Sequence, residues 1–202
     1  ELIGGDTTRG PLSINVTVLG DVNKNSVLLR SNAKINDDVW VTGDLGLPAL
    51  GLKIIKNKIE APKVITKNST EALEKPMLNK LTIDKIKSFC NSAIDISDGF
   101  VADLNHILRA SKVGARINLK DMPINKWIKK TGHEDLALYG GDDYQTILTA
   151  SRNMRSKIEK LVQKNNLSLS RVGIITKDKK LRLSDNGMEI KLKKGFAHFE
   201  KR

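Results

Sequence analysis

The sequence has one cysteine, Cys90, so it cannot form a disulfide bond within a single chain. Cys90 also lacks the neighbouring cysteines or histidines of a zinc cluster, and a reducing compartment is therefore expected. No stretch approaches the roughly 18 uncharged apolar residues of a membrane span, and no charged head followed by an apolar core opens the chain. These absences exclude a disulfide scaffold and a membrane-spanning protein, and they predict a cytoplasmic one.

Proline and glycine are also sparse, with 5 prolines and 15 glycines in 202 residues. Such a composition excludes collagenous and low-complexity chains. The 39% of hydrophobic residues is enough for the core of one ordinary domain or two small ones. The chain is therefore expected to fold.

Positive charge is in excess, because 35 lysines and arginines face 23 aspartates and glutamates, a formal net charge of +12. Nucleic acid must be considered, since phosphate neutralisation requires a basic surface. The lysines are nevertheless spread along the whole chain, and the two Trp, two Tyr and four Phe are not interleaved with them as stacking platforms are. A solvated lysine-rich surface that attracts a small anionic substrate is favoured, and a basic binding module without catalysis is the alternative.

Hydrophobic periodicity predicts a mixture of strands and helices. Strands are predicted at residues 14–18, 39–42, 92–96, 115–119, 144–150, 171–176, 180–183 and 188–192. Helices are predicted at residues 49–55, 83–90, 99–111, 125–138 and 152–164. Residues 59–80 are polar and are predicted to be irregular. Because the order shows no regular βαβ rhythm, we expect an α+β fold in which helices cover a sheet.

Three short segments combine glycines with carboxylates. In the first, Gly4–Gly10, two glycines precede Asp6 and would let the backbone approach a ligand closely. A turn before the strand predicted at residues 14–18 explains these glycines equally well. This segment alone therefore leaves both interpretations open.

The second segment, Ala93–Gly99, is an apolar strand that ends in Asp95 and Asp98, with Ser97 between them. Alternation along the strand would bury Asp95, and a half-buried carboxylate usually has a cation or strong donors nearby. Paired carboxylates suit Mg²⁺, which binds one or two of them together with substrate phosphates. The alternative is structural: Ser97 or Asp98 caps the following helix, and Asp95 is a satisfied polar residue.

The third segment, Gly140–Tyr144, places Asp142 and Asp143 side by side ahead of a strand. Adjacent acids repel each other unless a cation or cationic ligand lies beside them, although a solvated hairpin turn is the simpler alternative. Three such segments together favour phosphoryl transfer, which mainly needs metal ions and fixed donors around a phosphate. The usual phosphate loop is absent, because Gly46–Lys53 has Leu52 where that motif requires lysine.

The order and spacing of these segments resemble the second half of bacterial thiamine-monophosphate kinase, of the aminoimidazole-ribonucleotide-synthetase-like superfamily. The resemblance spans nearly all 202 residues and rests on Gly4–Gly10, Ala93–Gly99, Asp103–Ile107, Gly140–Tyr144 and Gly195–Phe199. It implies a three-layer α/β/α C-terminal domain at residues 31–202. It also implies that residues 1–30 are a strand or two left from an N-terminal domain that binds ATP and Mg²⁺.

The implied reaction transfers the γ-phosphoryl group of ATP to thiamine monophosphate and gives thiamine diphosphate, with Mg²⁺ as cofactor. The implied partner is a missing N-terminal half, and the full-length enzyme is expected to be a homodimer. The resemblance assigns ATP contacts to Gly5, Asp6, Arg30 and Ser97, metal binding to Asp6, Asp95 and Asp98, and substrate binding to Asp142 and Phe196. It assigns no catalytic residue, and the chain alone is expected to fold but to turn over poorly.

The sequence departs from the family at two places. Asp142 stands where the family usually has glutamate, so the carboxylate arm is one methylene shorter. Leu73–Asn79 corresponds to a family segment His-x-x-Pro-x-Pro-Arg but keeps only Pro76. The alternative within the superfamily is an enzyme with another substrate, such as a selenophosphate synthetase or a hydrogenase-maturation enzyme, and Gly195-Phe196 argues against it.

Overall fold

A computed structural model describes residues 3–24 and 26–193 of the chain. Within these residues, seven strands form one sheet in the order β2-β4-β1-β5-β3-β6-β7. The strands are β1 Asp37–Thr42, β2 Cys90–Asp95, β3 Gly114–Asn118, β4 Thr146–Ser151, β5 Leu169–Thr176, β6 Leu181–Asp185 and β7 Met188–Ile190. Neighbouring strands are antiparallel except β3 and β6, which are parallel.

In the part of the chain that the structure describes, seven α-helices connect and cover these strands. They are α1 Leu47–Ile55, α2 Lys63–Glu74, α3 Lys80–Ile86, α4 Phe100–Ser111, α5 Lys126–Lys130, α6 Asp135–Tyr139 and α7 Arg155–Asn165. Single 3₁₀ turns occupy Arg30–Asn32, Lys87–Phe89, Leu119–Asp121 and Arg152–Met154. None of the helices in the described part of the chain is long and apolar enough to cross a membrane.

The sheet is buried on both faces. Strand β1 shows this best, because Val39 and Val41 pack into the larger core with helix α4, whereas Trp40 packs into a second core on the other face. Ile86 of α3 and Ile158 of α7 complete that second core. Since successive side chains of a strand point to opposite faces, helices must cover both sides of the sheet. The predicted α+β fold, with helices covering a sheet, is confirmed.

The strand predicted at residues 14–18 is wrong. Residues 3–24 contain neither helix nor strand, and Ile14, Val16 and Val18 are at least 81% exposed. The alternating pattern is present, but a strand also needs a neighbour for its backbone groups and its apolar face, and the described residues provide none there. The strand or two expected ahead of the domain is therefore also wrong for the described residues.

Helix α2 lies in the region predicted to be irregular, so that prediction is wrong as well. The helix is polar, and its only fully buried residue is Ser69. It forms because it packs closely on α1: a side chain at Gly51 would collide with the backbone of Ser69. Contact between two helices, rather than an apolar stripe, stabilises this segment, and hydrophobic periodicity does not detect such contact.

The single helix predicted at residues 125–138 is two short helices, α5 and α6. Gly132 lies between them with a φ of 73°, a left-handed conformation that ends α5. Asn125 caps α5 by accepting a hydrogen bond from the Trp127 amide at 2.9 Å. The predicted segment is therefore helical at both ends, but the left-handed conformation of Gly132 separates the two helices.

Candidate functional site

Two of the three glycine–carboxylate segments meet in space. The Ala93–Gly99 segment leaves the end of β2, and the Gly140–Tyr144 segment enters β4, its antiparallel neighbour. The Asp142 amide donates to the Ser97 carbonyl at 3.0 Å, and the Tyr144 amide donates to the Ile96 carbonyl at 2.8 Å. Antiparallel pairing brings the end of one strand beside the start of the next, so the sheet itself joins these loops.

The glycines allow this close approach. A side chain at Gly141 would collide with the Ser97 carbonyl, and one at Gly99 would lie 2.9 Å from the Gly140 carbonyl oxygen. Gly99 also has a φ of 107°. These positions require glycine because two backbones touch. The alternative of a solvated hairpin turn at Gly140–Tyr144 is wrong, because this segment joins helix α6 to strand β4.

A cleft of about 600 Å³ opens beside the two loops. The predicted residues Ser97, Asp98 and Asp142 all line it. Tyr139 of α6 and Lys53 of α1 line it as well. Lys53 adds a cation to the lining of the cleft. Sequence analysis gave it no role, because Gly46–Lys53 does not match the phosphate-loop motif. The cleft therefore offers both signs of charge to a ligand.

Asp103, which sequence analysis assigned no role, holds the first loop in place. Its carboxylate is buried and accepts hydrogen bonds from the amides of Ser97 and Asp98, both at 3.0 Å. Burial raises the pKa of Asp103, these two hydrogen bonds lower it, and the charges of Asp98 and Asp95 raise it. Negative charge is therefore concentrated at the end of β2.

The capping alternative for Ser97 and Asp98 is wrong. Helix α4 begins after Gly99, which is itself the N-cap residue, and in the described part of the chain no side-chain hydrogen bond caps this helix. The expectation that Asp95 is half-buried is also wrong, because Asp95 is exposed. It is the last residue of β2, an edge strand, where the sheet no longer covers the side chain. Of these structural alternatives, the structure contradicts the capping of α4.

The residues at the end of β2 fit Mg²⁺ as partial ligands. Asp95 and Asp98 are near enough to Asp103 for their charges to raise its pKa, so a cation there would relieve repulsion. Within residues 3–24 and 26–193, no group of three or more His, Cys, Asp or Glu side chains could hold a metal by itself. Mg²⁺ commonly takes one or two carboxylates and completes its shell with phosphates and waters.

Asp143 is a second buried carboxylate in this region. Its Oδ1 accepts a hydrogen bond from the Gly46 amide at 2.8 Å, whereas its buried Oδ2 has no partner among the described residues. Burial raises the pKa of Asp143 to about 8, the Gly46 hydrogen bond lowers it, and the charge of Asp142 raises it. Asp143 therefore ties the loop to Gly46, whereas Asp142 lines the cleft.

The remaining predicted residues lie elsewhere. Gly5 and Asp6 are exposed, and the Asp6 carboxylate accepts a hydrogen bond only from the neighbouring Thr7 amide among the described contacts. The Arg30 carbonyl accepts a hydrogen bond from Ser111 Oγ at 2.8 Å, at the C-terminal end of α4. The twelve residues of α4 put Arg30 about 18 Å from the loop at its other end. Their predicted ATP and metal roles stay predictions.

Phe196 and Gly195 lie outside the described residues. The described chain ends at Lys193, which is at the rim of the cleft. Its amide donates to Tyr139 Oη at 3.0 Å, and its ammonium pairs with Asp135, another cleft residue. The last described residue is therefore tied to two residues that line the cleft.

Known proteins resemble this chain over nearly its whole length. It is 38% identical to thiamine-monophosphate kinase of Buchnera aphidicola from Schizaphis graminum over 206 residues, covering 98% of this chain and 64% of that protein. The crystal structure of thiamine-monophosphate kinase from Stenotrophomonas maltophilia K279a superimposes with a TM-score of 0.72 and 28% identity, covering 80% of this chain and 54% of the other. AaThiL complexed with AMPPCP and TMP gives a TM-score of 0.66 and 25% identity, covering 82% and 52%.

The chain thus spans about 64% of the length of its Buchnera relative. Its residues 34–186 match the family model described as AIR synthase related protein, C-terminal domain. This match covers the whole sheet except its last strand, together with both loops of the cleft. The chain accordingly belongs to the AIR synthase related family and contains its C-terminal domain.

Proposed function

We propose that this chain is the C-terminal part of a thiamine-monophosphate kinase. The reaction transfers the γ-phosphoryl group of ATP to the phosphate of thiamine monophosphate and gives thiamine diphosphate. The proposal rests on one observation. Ser97, Asp98 and Asp142 line a single cleft, and the family resemblance assigns each of them to nucleotide, metal or substrate. The similarity to thiamine-monophosphate kinases, and to AaThiL complexed with AMPPCP and TMP, supports this substrate pair.

The cleft residues, together with Asp95 at the end of β2 outside the cleft lining, would contact different parts of the two substrates. Asp95 and Asp98 would hold Mg²⁺, which supplies charge neutralisation at the phosphates when bound. Ser97 would contact the nucleotide, and the ammonium of Lys53 would attract phosphate oxygens into the cleft. Asp142 would offer its carboxylate to the aminopyrimidine of thiamine. Positioning and electrostatics of this kind account for most of phosphoryl-transfer catalysis.

Phe196 would contribute an aromatic face to the cationic thiazolium ring. Such a contact is worth about 0.5 to 2 kcal/mol when the ring centroid is within about 6 Å of the cation. Lys193 supports this assignment because it is fixed at the rim by Tyr139 and Asp135. Phe196 follows three residues later, a reach of about 10 Å for extended chain.

The ATP site is proposed to include the N-terminal half of the enzyme. Gly5, Asp6 and Arg30 would belong to that part of the site. We place the domain boundary after residue 30, so that residues 1–30 belong to the N-terminal domain and residues 31–202 form the C-terminal domain. The exposed apolar side chains of Ile14, Val16 and Val18 support a further domain that covers them. We propose a homodimer for the full enzyme and a cytoplasmic location, which the unpaired Cys90 supports.

Thiamine diphosphate formation tests the proposal. The purified chain is given ATP, Mg²⁺ and thiamine monophosphate, with and without a separately supplied N-terminal half from a relative. We expect slow or no turnover alone and clear recovery with the second half, because the chain supplies only part of the metal and nucleotide contacts. Turnover on the order of 1 per second by the chain alone would contradict the assignment as a part. Absence of thiamine diphosphate from both samples would contradict the assignment as a kinase.

Replacing Asp98 by Asn separates a metal ligand from a structural residue. Asn has the same shape and no charge, and Asp98 caps no helix, so we expect the free energy of unfolding to change by less than about 1 kcal/mol. In the complemented enzyme, activity should fall by at least about tenfold and require more Mg²⁺, since the ion loses a carboxylate. Glu159→Gln, on the far helix α7, is the matched control. Unchanged activity and Mg²⁺ dependence in Asp98→Asn would refute the metal role.

A further inference from the structure

Gln145, the residue before β4, makes an unusual number of side-chain contacts. It is only 8% exposed. Its Oε1 accepts hydrogen bonds from Thr42 Oγ1 at 3.0 Å and from Asn79 Nδ2. Its Nε2 donates to the carbonyls of Met77 at 3.2 Å and Asp143 at 3.4 Å. A buried amide with donors and acceptors both satisfied fixes the groups around it.

These contacts join three separate parts of the chain. Thr42 ends β1, Asn79 precedes α3, and Gln145 follows the Gly140–Tyr144 loop. Thr42 Oγ1 also accepts a hydrogen bond from the Thr146 amide at 2.9 Å. At Gly43, with a φ of 61°, a side chain would collide with Gln145 and Asn79. The backbone at Gly43 therefore leaves room for the side chains of Gln145 and Asn79.

We propose that Thr42, Asn79 and Gln145 form a polar clasp that positions the Gly140–Tyr144 loop and so sets where Asp142 stands in the cleft. Gln145 acts on the loop from both sides: its side chain holds the Asp143 carbonyl, and its own carbonyl accepts from the Ile96 amide at 2.8 Å. Asp142 lies between these fixed points and the Ser97 carbonyl, to which its amide donates. The three residues are positioning residues, because none of them lines the 600 Å³ cleft.

The clasp gives a role to the segment that departs from the family pattern. Leu73–Asn79 lacks the histidine, second proline and arginine of that pattern, yet its Asn79 side chain and Met77 carbonyl both hold Gln145. The segment thus anchors the loop through neutral hydrogen bonds. The predicted effect on thiamine monophosphate binding rests on the proposed function, whereas the predicted effect on hydrogen exchange in the loop does not.

Gln145→Glu is the sharpest variant, because it keeps the shape of the side chain and replaces the donor nitrogen by an oxygen. The carboxylate would still accept from Thr42 and Asn79, but it would repel the carbonyls of Met77 and Asp143. Hydrogen exchange of the 202-residue chain then reports on the loop. We expect the Asp142 and Tyr144 amides to exchange at least about tenfold faster, and the Ala115 amide in β3 to be unchanged.

Ser92→Ala is the matched control, since it removes the buried 2.8 Å hydrogen bond between Ser92 and Thr149 in the same pair of strands. It should leave exchange at Asp142 and Tyr144 unchanged. Loop exchange that is unaffected in Gln145→Glu, or no faster there than in Ser92→Ala, would overturn the proposal. If Gln145→Glu fails to fold, Asn79→Ala, which deletes one contact, must speed exchange at the same two amides or the proposal falls.

Calorimetry with thiamine monophosphate adds the functional consequence. In the complemented enzyme, we expect Gln145→Glu to weaken its binding by at least about fivefold and to leave the affinity for a non-hydrolysable ATP analogue unchanged. Of the proposed ligand contacts, only Asp142 lies on the released loop. Equal weakening toward both ligands would contradict the positioning of Asp142. A wild-type chain that binds no thiamine monophosphate would contradict the proposed function alone, since the exchange rates test the clasp without ligand.

Discussion

At pH 8, the Asp143→Asn variant is expected to be more stable than the wild-type chain by about 3 kcal/mol. Burial raises the pKa of Asp143 to about 8, whereas an aspartate in the unfolded chain titrates near about 3.9. Asn imitates the protonated carboxyl, and it never has to carry a charge into the buried site. The variant therefore avoids a cost of about 5 kcal/mol that the wild-type chain has at pH 8. About 2 kcal/mol of this gain is offset, because the new amide leaves one buried donor without a partner.

The sign follows from the protons bound in each state. Between about pH 4 and pH 8, folded Asp143 keeps a proton that the unfolded chain has lost, so stability falls by about 1.4 kcal/mol for each pH unit. Below this window both states are protonated, and the contribution of Asp143 is fully present. Above it both are ionised, and the contribution is lost.

Urea unfolding of both proteins at pH 5 and pH 8 measures the effect. Other titrating groups are common to the two proteins, so they cancel in the difference between wild type and variant. At pH 5 the free energies of unfolding of the two proteins should differ by less than about 2 kcal/mol. The gain from removing the carboxyl is small at this pH, and it is offset because the new amide leaves one buried donor without a partner. Asp44→Asn, which removes an exposed carboxylate, is the control, and it should change stability much less than Asp143→Asn does. A difference that stays constant from pH 5 to pH 8 would contradict the raised pKa.

Gly99→Ala is expected to destabilise the chain by about 3 kcal/mol or more. Gly99 has a φ of 107° and a ψ of 148°, a region that only glycine adopts without strain. The new methyl would also lie 2.9 Å from the Gly140 carbonyl oxygen and from the Tyr139 carbonyl carbon. Because both are backbone atoms, relief requires the two loops of the cleft to separate. Binding of thiamine monophosphate should fall together with stability.

Alanine substitutions at three other glycines measure backbone strain and steric collision separately. Gly187→Ala has strain alone, with a φ of 83° and open space around it, and should cost about 1 kcal/mol. Gly141→Ala collides with Ser97, with no positive φ to add strain, and should cost about 1 to 3 kcal/mol. Gly20→Ala has neither and should cost nothing measurable. Urea unfolding gives each value, and a Gly99→Ala loss no larger than that of Gly187→Ala would show that the loops do not touch as described.

The sequence by itself determined the larger part of the secondary structure and the chemistry of the cleft. Short apolar runs located β1 and β4, which are buried on both faces, and helical spacing located α4, which buries one face. The carboxylates of Asp98 and Asp142 were recognised because glycines and acids recur together. The resemblance to one enzyme family followed from the order of those same segments.

Only the tertiary structure decided which residues act together. Sequence separation hides the contact between Ser97 and Asp142, which exists because β2 and β4 are antiparallel neighbours. The same contact explains why glycine is needed at residues 99 and 141. Helix α2 and the absence of a strand at residues 14–18 have a related origin, since one depends on packing against α1 and the other on a missing neighbour.

The roles of Asp103, Asp143 and Gln145 are the clearest products of the fold. Asp103 and Asp143 lie in segments that the sequence singles out, but nothing local indicates that their side chains are buried or which groups they and Gln145 contact. Burial raises the pKa of both carboxyls, and hydrogen bonds from other segments place all three beneath the cleft. A side chain's charge and partners depend on what surrounds it in space, and local patterns in the sequence reveal only the residues beside it along the chain.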